Sequence, residues 1–103
     1  MEAFQRALSR SRNPLCYNGD LRAPAQCEAL TETCPGIRGI MLGRGLLADP
    51  GLAGKCRGLP EASRQRLESF YGELTEAYIR SFGSERNALL RLKELWSYQR
   101  LLF

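Results

Sequence analysis

Apolar residues recur at helical spacing in the second half of the chain and gather in short unbroken runs in the first. From Glu61 to Phe82, the residues Leu67, Phe70, Tyr71, Leu74, Tyr78 and Phe82 share one face. That spacing predicts a long amphipathic helix with Glu61 in its first turn, where negative charge suits the helix dipole. Gly83 ends this helix and Ser84 caps the next. There Leu89, Leu92, Trp96 and Phe103 form one stripe, with Leu95 and Leu102 beside it. Two such helices joined by a tight turn make an antiparallel hairpin, with the stripes as its core.

The first half is punctuated differently. It holds all the glycines except Gly72 and Gly83, and all the prolines except Pro60. Pro14 to Tyr17 is a short apolar run stopped by Asn18-Gly19-Asp20, which reads as a buried strand. Pro24 suits the first position of a helix in which Cys27, Leu30 and Thr31 share a face, and Pro35-Gly36 closes it. Gly39 to Leu42 is a second short strand, ending at Gly43. Strand, helix and strand in this order predict a βαβ unit with parallel strands and a right-handed crossover. A short helix follows near Leu46, then another with Asp49 as cap and Pro50 at its first position. Phe4 and Leu8, four apart, suit the last turns of an amphipathic helix.

Composition narrows the classes. The chain has 103 residues, 44% hydrophobic and 25% charged, in the range of one globular domain. No stretch approaches the roughly 18 to 20 apolar residues of a membrane span, and the first residues lack the apolar region of a secretory signal. A cytoplasmic location is expected. The net charge of +4 permits an anionic partner without demanding one. The four cysteines, Cys16, Cys27, Cys34 and Cys56, form no CxxC pair, and histidine is absent. Free thiols are expected rather than a metal site, and most nucleophile–base pairs are excluded.

The two strand exits are the candidate chemistry. In parallel β/α units the loops after the strands lie on one side of the sheet, where ligands bind. Asn18-Gly19-Asp20 leaves the first strand and Gly43-Arg44-Gly45 the second. Glycines let backbone amides approach an anion, and Arg44 adds a charge-assisted contact. The negative charge of Asp20 suits it to bracing its loop. On the last helix Arg86, Lys93 and Arg100 are seven apart and form one basic stripe, able to follow phosphates or simply to be a solvated face.

"PLCYNGDL" followed by "GIRGIMLGRGLLADPGL" resembles the last two β/α units of the tRNA-dihydrouridine synthases, and "LLRLKELWSYQ" resembles their C-terminal helical domain. The resemblance runs from about Pro14 to the end. It implies an FMN-binding (β/α)8 barrel followed by a helical tRNA-binding domain, in an oxidoreductase that uses NADPH, through the flavin, to reduce uridine to 5,6-dihydrouridine in tRNA. It implies that Asn18, Gly19 and Asp20 line the FMN phosphate, that Gly43 and Arg44 complete the cradle, and that Arg86, Lys93 and Arg100 face RNA. Ala23 stands where the family often has a Ser or Thr cap, and Asp49-Pro50 where Asn-Pro is commoner.

The fold class expected is therefore an α/β fragment, the last two β/α units of a TIM barrel in residues 1–58, followed by an all-α helical domain in residues 59–103. A whole barrel takes about 200 residues or more. The catalytic cysteine of the family lies on an earlier loop, so no cysteine here inherits its role and no catalytic residue is assigned. The expected partners are tRNA, the missing N-terminal barrel portion and further copies of the chain. Removing six units bares Leu15, Tyr17, Ile40 and Leu42, which self-association or strand exchange would cover. FMN alone is expected to bind near millimolar or more weakly. The alternative is a stand-alone RNA-binding or structural helical module without flavin.

Overall fold

The computed structural model describes residues 1–100. In chain order they form α1 (Glu2–Arg10), β1 (Cys16–Asn18), α2 (Pro24–Thr33), β2 (Gly39–Met41), α3 (Arg44–Ala48), α4 (Leu52–Lys55), α5 (Arg64–Phe82) and α6 (Glu85–Gln99). The chain is helix-dominated, with one small sheet of two parallel strands. The register pairs Cys16 with Gly39, Tyr17 with Ile40 and Asn18 with Met41. Parallel pairing forces the chain to cross over between the strands. Helix α2 makes that crossover.

Local chemistry sets the boundaries. Pro24 opens α2, where its missing N–H costs nothing. Ala23 cannot cap with its side chain, and Gln26 compensates: its Oε1 accepts from the amides of Arg22 at 2.7 Å and Ala23 at 3.1 Å. Ser63 caps α5, accepting from the Arg66 amide at 3.2 Å. Gly83 ends α5 with φ 74, a left-handed conformation that glycine adopts without steric cost. Ser84 then caps α6, accepting from the Asn87 amide at 3.2 Å, and the Asn87 side chain donates to the Phe82 carbonyl at 3.1 Å. One short turn thus stops one helix and starts the next.

The start of the long helix differs from expectation. Glu61 lies ahead of α5, and its carboxylate meets the Lys55 ammonium at 3.0 Å. Ser63 supplies the cap instead. The expected Asp49 cap with Pro50 at the first position is corrected: α4 starts at Leu52 with Gly51 as its N-cap, and Asp49, the C-cap of α3, accepts from the Gly51 amide at 2.9 Å within the turn between the two helices.

The buried core is small: Cys27, Leu30, Cys34, Leu52, Ala88 and Leu92. Helix α6 packs against both α5 and α3, and this double contact selects its inward seam. Ala88, Leu92 and Gln99 are buried along it, with Leu95 half-buried. The expected stripe is corrected accordingly. Leu89 is 46% exposed and Trp96 48%, because both lie beside the seam rather than on it. Phe103 and Leu102 lie outside the described residues. On α5, Leu67, Tyr71, Leu74 and Tyr78 are half-buried and Phe70 and Phe82 are exposed. Leu15, Tyr17, Ile40 and Leu42 are half-buried rather than bare. Helix α1 covers part of the sheet, with the Phe4 ring edge-on to Tyr17 at 5.1 Å.

Candidate functional site

The site is assembled from the two strand exits. Because β1 and β2 run parallel in register, both chains leave the sheet at the same end. After β1 the chain turns sharply, and the Leu21 amide donates to the Gly19 carbonyl at 2.9 Å. After β2 it enters α3 at once: Gly43 is the N-cap, and its carbonyl accepts from Leu46 at 2.9 Å and Leu47 at 3.3 Å.

The exits touch. Gly45 is buried, and a side chain there would run into the Leu21 carbonyl and come within 3.0 Å of Leu52 Cδ2. Asp20 sits between the exits. Its carboxylate accepts from Arg22 Nε at 3.3 Å and Nη2 at 3.4 Å, and Arg44 Nη2 approaches Oδ1 at 3.6 Å. These groups are half exposed or more, so water screens the pairs strongly. Two guanidinium groups on one carboxylate leave a net positive charge. No atom lies within 4 Å of the side-chain position at Gly43, so its backbone is open to approach.

The structure therefore gathers Asn18, Gly19, Asp20, Gly43 and Arg44 at one end of the sheet. Two features escaped the sequence. Arg22 shares Asp20, and the exits border a large cleft. This cleft, about 1200 Å³, runs from Leu42, Gly43 and Arg44 toward Leu59, Phe70 and Leu95. It is lined by residues of α3, α4, the start of α5 and the end of α6. Beside it Lys55 Nζ binds Asp49 Oδ2 at 2.7 Å. Hydrogen bonds to Asp49 and then Glu61 raise the Lys55 pKa above its ordinary value.

Arg86, Lys93 and Arg100 stand apart from this site. All three are exposed. Their seven-residue spacing keeps them together on the α6 surface, away from the seam of Ala88, Leu92 and Gln99. None of them forms an ion pair among the described residues. Arg91, by contrast, pairs with Glu94 at 3.3 Å and lies over the Phe82 ring at 5.3 Å. Trp96 meets Tyr71 edge-on at 6.4 Å and is half exposed, so the expectation of a core tryptophan is corrected.

Among the described residues no helix is long and apolar enough to cross a membrane, and no cluster of three or more His, Cys, Asp or Glu side chains is placed to hold a metal. No protein-family model, curated protein or solved structure matches the chain.

Proposed function

We propose that this chain is the C-terminal part of a flavin-dependent oxidoreductase resembling the tRNA-dihydrouridine synthases, inactive alone, that supplies the phosphate end of an FMN site and an RNA-facing helix. The observation that carries this reading is the meeting of the two strand exits, with Arg44 of the second reaching Asp20 of the first. In β/α barrels the loops after the last two strands hold a phosphate. The residues fit that end of the cofactor. The Gly43 backbone is open, and Arg22 and Arg44 outnumber the carboxylate between them. When bound, the flavin would supply hydride transfer, with NADPH as its reductant. The residues here would bind and orient its phosphate and take no chemical step.

The test is amide chemical-shift mapping of the chain with millimolar FMN and, separately, riboflavin. FMN shifts Gly19, Gly43, Arg44 and Gly45, while riboflavin, which lacks the phosphate, leaves them unmoved. Equal effects of the two ligands, or none, reject the reading.

The second reading is a helical RNA-binding module without flavin. It is favoured by the basic stripe of Arg86, Lys93 and Arg100, which is exposed and carries no ion pair among the described residues. It predicts tRNA binding by a chain whose exit amides ignore FMN.

A further inference from the structure

Cys27 and Cys56 are 29 residues apart in the chain, yet their Sγ atoms lie 3.3 Å from each other in a shared hydrogen bond. Cys27 is on the buried face of α2. Cys56 is the C-cap of α4 and is half-buried. The fold brings the end of α4 to α2, so the contact is a product of the tertiary structure. A cavity of about 260 Å³ opens beside the pair, lined in part by both cysteines, Thr31, Ala53 and Arg57. It gives a small reagent a way in. Among the described residues no other two thiols are hydrogen-bonded: Cys16 is exposed at the sheet and Cys34 is buried at the end of α2.

We propose that Cys27 and Cys56 are an oxidisable dithiol, a modification site that closes to an intramolecular disulfide by exchange with a small-molecule disulfide of the glutathione type. Cys56 is the attacking sulfur because it is the more accessible of the two; Arg57 and Glu28 both line the cavity, so their charges offset each other there. The Cys56 thiolate attacks one sulfur of the reagent, forms a mixed disulfide and expels one glutathione thiolate. Cys27 then loses its proton, attacks Cys56 Sγ and expels the second. The protein gives up two protons and two electrons, and one glutathione disulfide becomes two glutathione thiols. Burial, and then the bond to Cys56, raise the Cys27 pKa to about 11, so Cys27 does not make the first attack and reacts only as the second, intramolecular nucleophile, where proximity offsets its small thiolate fraction. The new bond ties α2 to the segment that leads out of α4 toward α5. This site is independent of the flavin reading.

The test uses the whole chain with Cys16→Ser, which removes the exposed thiol, at micromolar concentration in a glutathione redox buffer. Free thiols are trapped by alkylation and the products mapped by mass spectrometry. The expected product is a monomer lighter by about 2 Da, with one cross-linked peptide pair joining Cys27 to Cys56. Adding Cys27→Ser leaves one glutathione on Cys56, and adding Cys56→Ser instead lowers modification of Cys27 by about tenfold or more. A cross-link to Cys34 in comparable yield, cross-linked dimers as the main product, or full alkylation of both thiols after oxidation overturns the proposal.

Discussion

Arg44 Nη2 lies 3.6 Å from Asp20 Oδ1, joining two loops that leave neighbouring parallel strands. The same carboxylate holds Arg22. Asp20 therefore restrains two cations and also reduces the positive charge they offer to an anion. Asp20→Asn removes the negative charge while keeping a similar shape. It is expected to tighten binding of FMN or inorganic phosphate at the exits by about threefold, whereas Arg44→Ala weakens it by a similar factor. Titration followed at the Gly43 and Gly45 amides checks both. Stability should change by less than about 1 kcal/mol in either variant, since the pairs are exposed.

The two exits can approach only because Gly45 has no side chain. Gly45→Ala drives a methyl group into the Leu21 carbonyl and against Leu52. A backbone neighbour cannot rotate away, so a loss of about 1–3 kcal/mol is expected. Gly72 provides the contrast. It lies in the middle of α5, is exposed, and has open space around it. Gly72→Ala should stabilise by about 0.5–1 kcal/mol through helix propensity alone. Urea unfolding of the two variants beside the parent chain separates a packing glycine from a costly one.

The local order of the chain was legible, because turns and caps are written in adjacent residues. Asn18-Gly19, Pro24, Gly83 and Ser84 each act within a few positions of themselves, and β1, α2, β2 and the hairpin follow. What failed was decided at longer range. The charge of Glu61 suits a first helical turn, but α5 starts at Arg64 behind its Ser63 cap, and Glu61 meets Lys55 ahead of it. Trp96 and Leu89 have helical spacing, but contact with α3 turns α6 so that Ala88, Leu92 and Gln99 face inward. Cys27 and Cys56 show no spacing signature at all. For the site, the sequence gathered the exit residues correctly at one end of the sheet, and it missed Arg22 and the cleft beside them.

Stability should fall on the alkaline side. Cys27 is raised from 9.0 to about 11, first by burial and then by its contacts with Cys56. Tyr71 is raised by burial, and Lys55 by its bonds to Asp49 and Glu61. In each case the folded pKa exceeds the unfolded one, so the folded state binds more protons in between. Full stability is present below the unfolded pKa and declines as pH rises through the folded value. For Cys27 that window runs from about 9 to about 11. Denaturant midpoints measured across it under reducing conditions should fall, and Cys27→Ala should flatten the earliest part of the decline.

Arg86 and Lys93 carry no ion pair among the described residues, so replacing both with Glu breaks no such pair and reverses the charge of the α6 stripe. Melting temperature is expected to stay within about 2 °C, as for surface changes generally. If α6 faces RNA as proposed, binding to tRNA weakens by at least tenfold, and a parent chain with no tRNA affinity rejects that role. The slope of log affinity against log salt should also become shallower by roughly 1.8, from about 0.9 for each of two lost phosphate contacts. Filter binding at several salt concentrations measures both quantities. Weakening without a change of slope would mean that these side chains do not contact phosphate.

The described chain is elongated, 50 × 28 × 19 Å, with a radius of gyration of 17.1 Å where a compact domain of about 100 residues has about 13 Å. Its apolar surface is not spread evenly. Leu47, Leu59 and Phe70 are exposed at 44%, 59% and 38%, and all three line the cleft that begins at Gly43. Both strands also have one unpaired edge. A surface of this kind lowers its free energy by burying the cleft against another surface, a second copy of the chain included. The isolated chain is therefore expected to associate as concentration rises from micromolar to millimolar, seen as a growing weight-average mass in light scattering. Leu59→Lys with Phe70→Lys places charge on the cleft wall without touching the buried core and should hold the chain monomeric over that range. If the parent chain stays monomeric throughout, the cleft is not an association surface for copies of itself. If the double variant associates as the parent does, the strand edges are responsible instead.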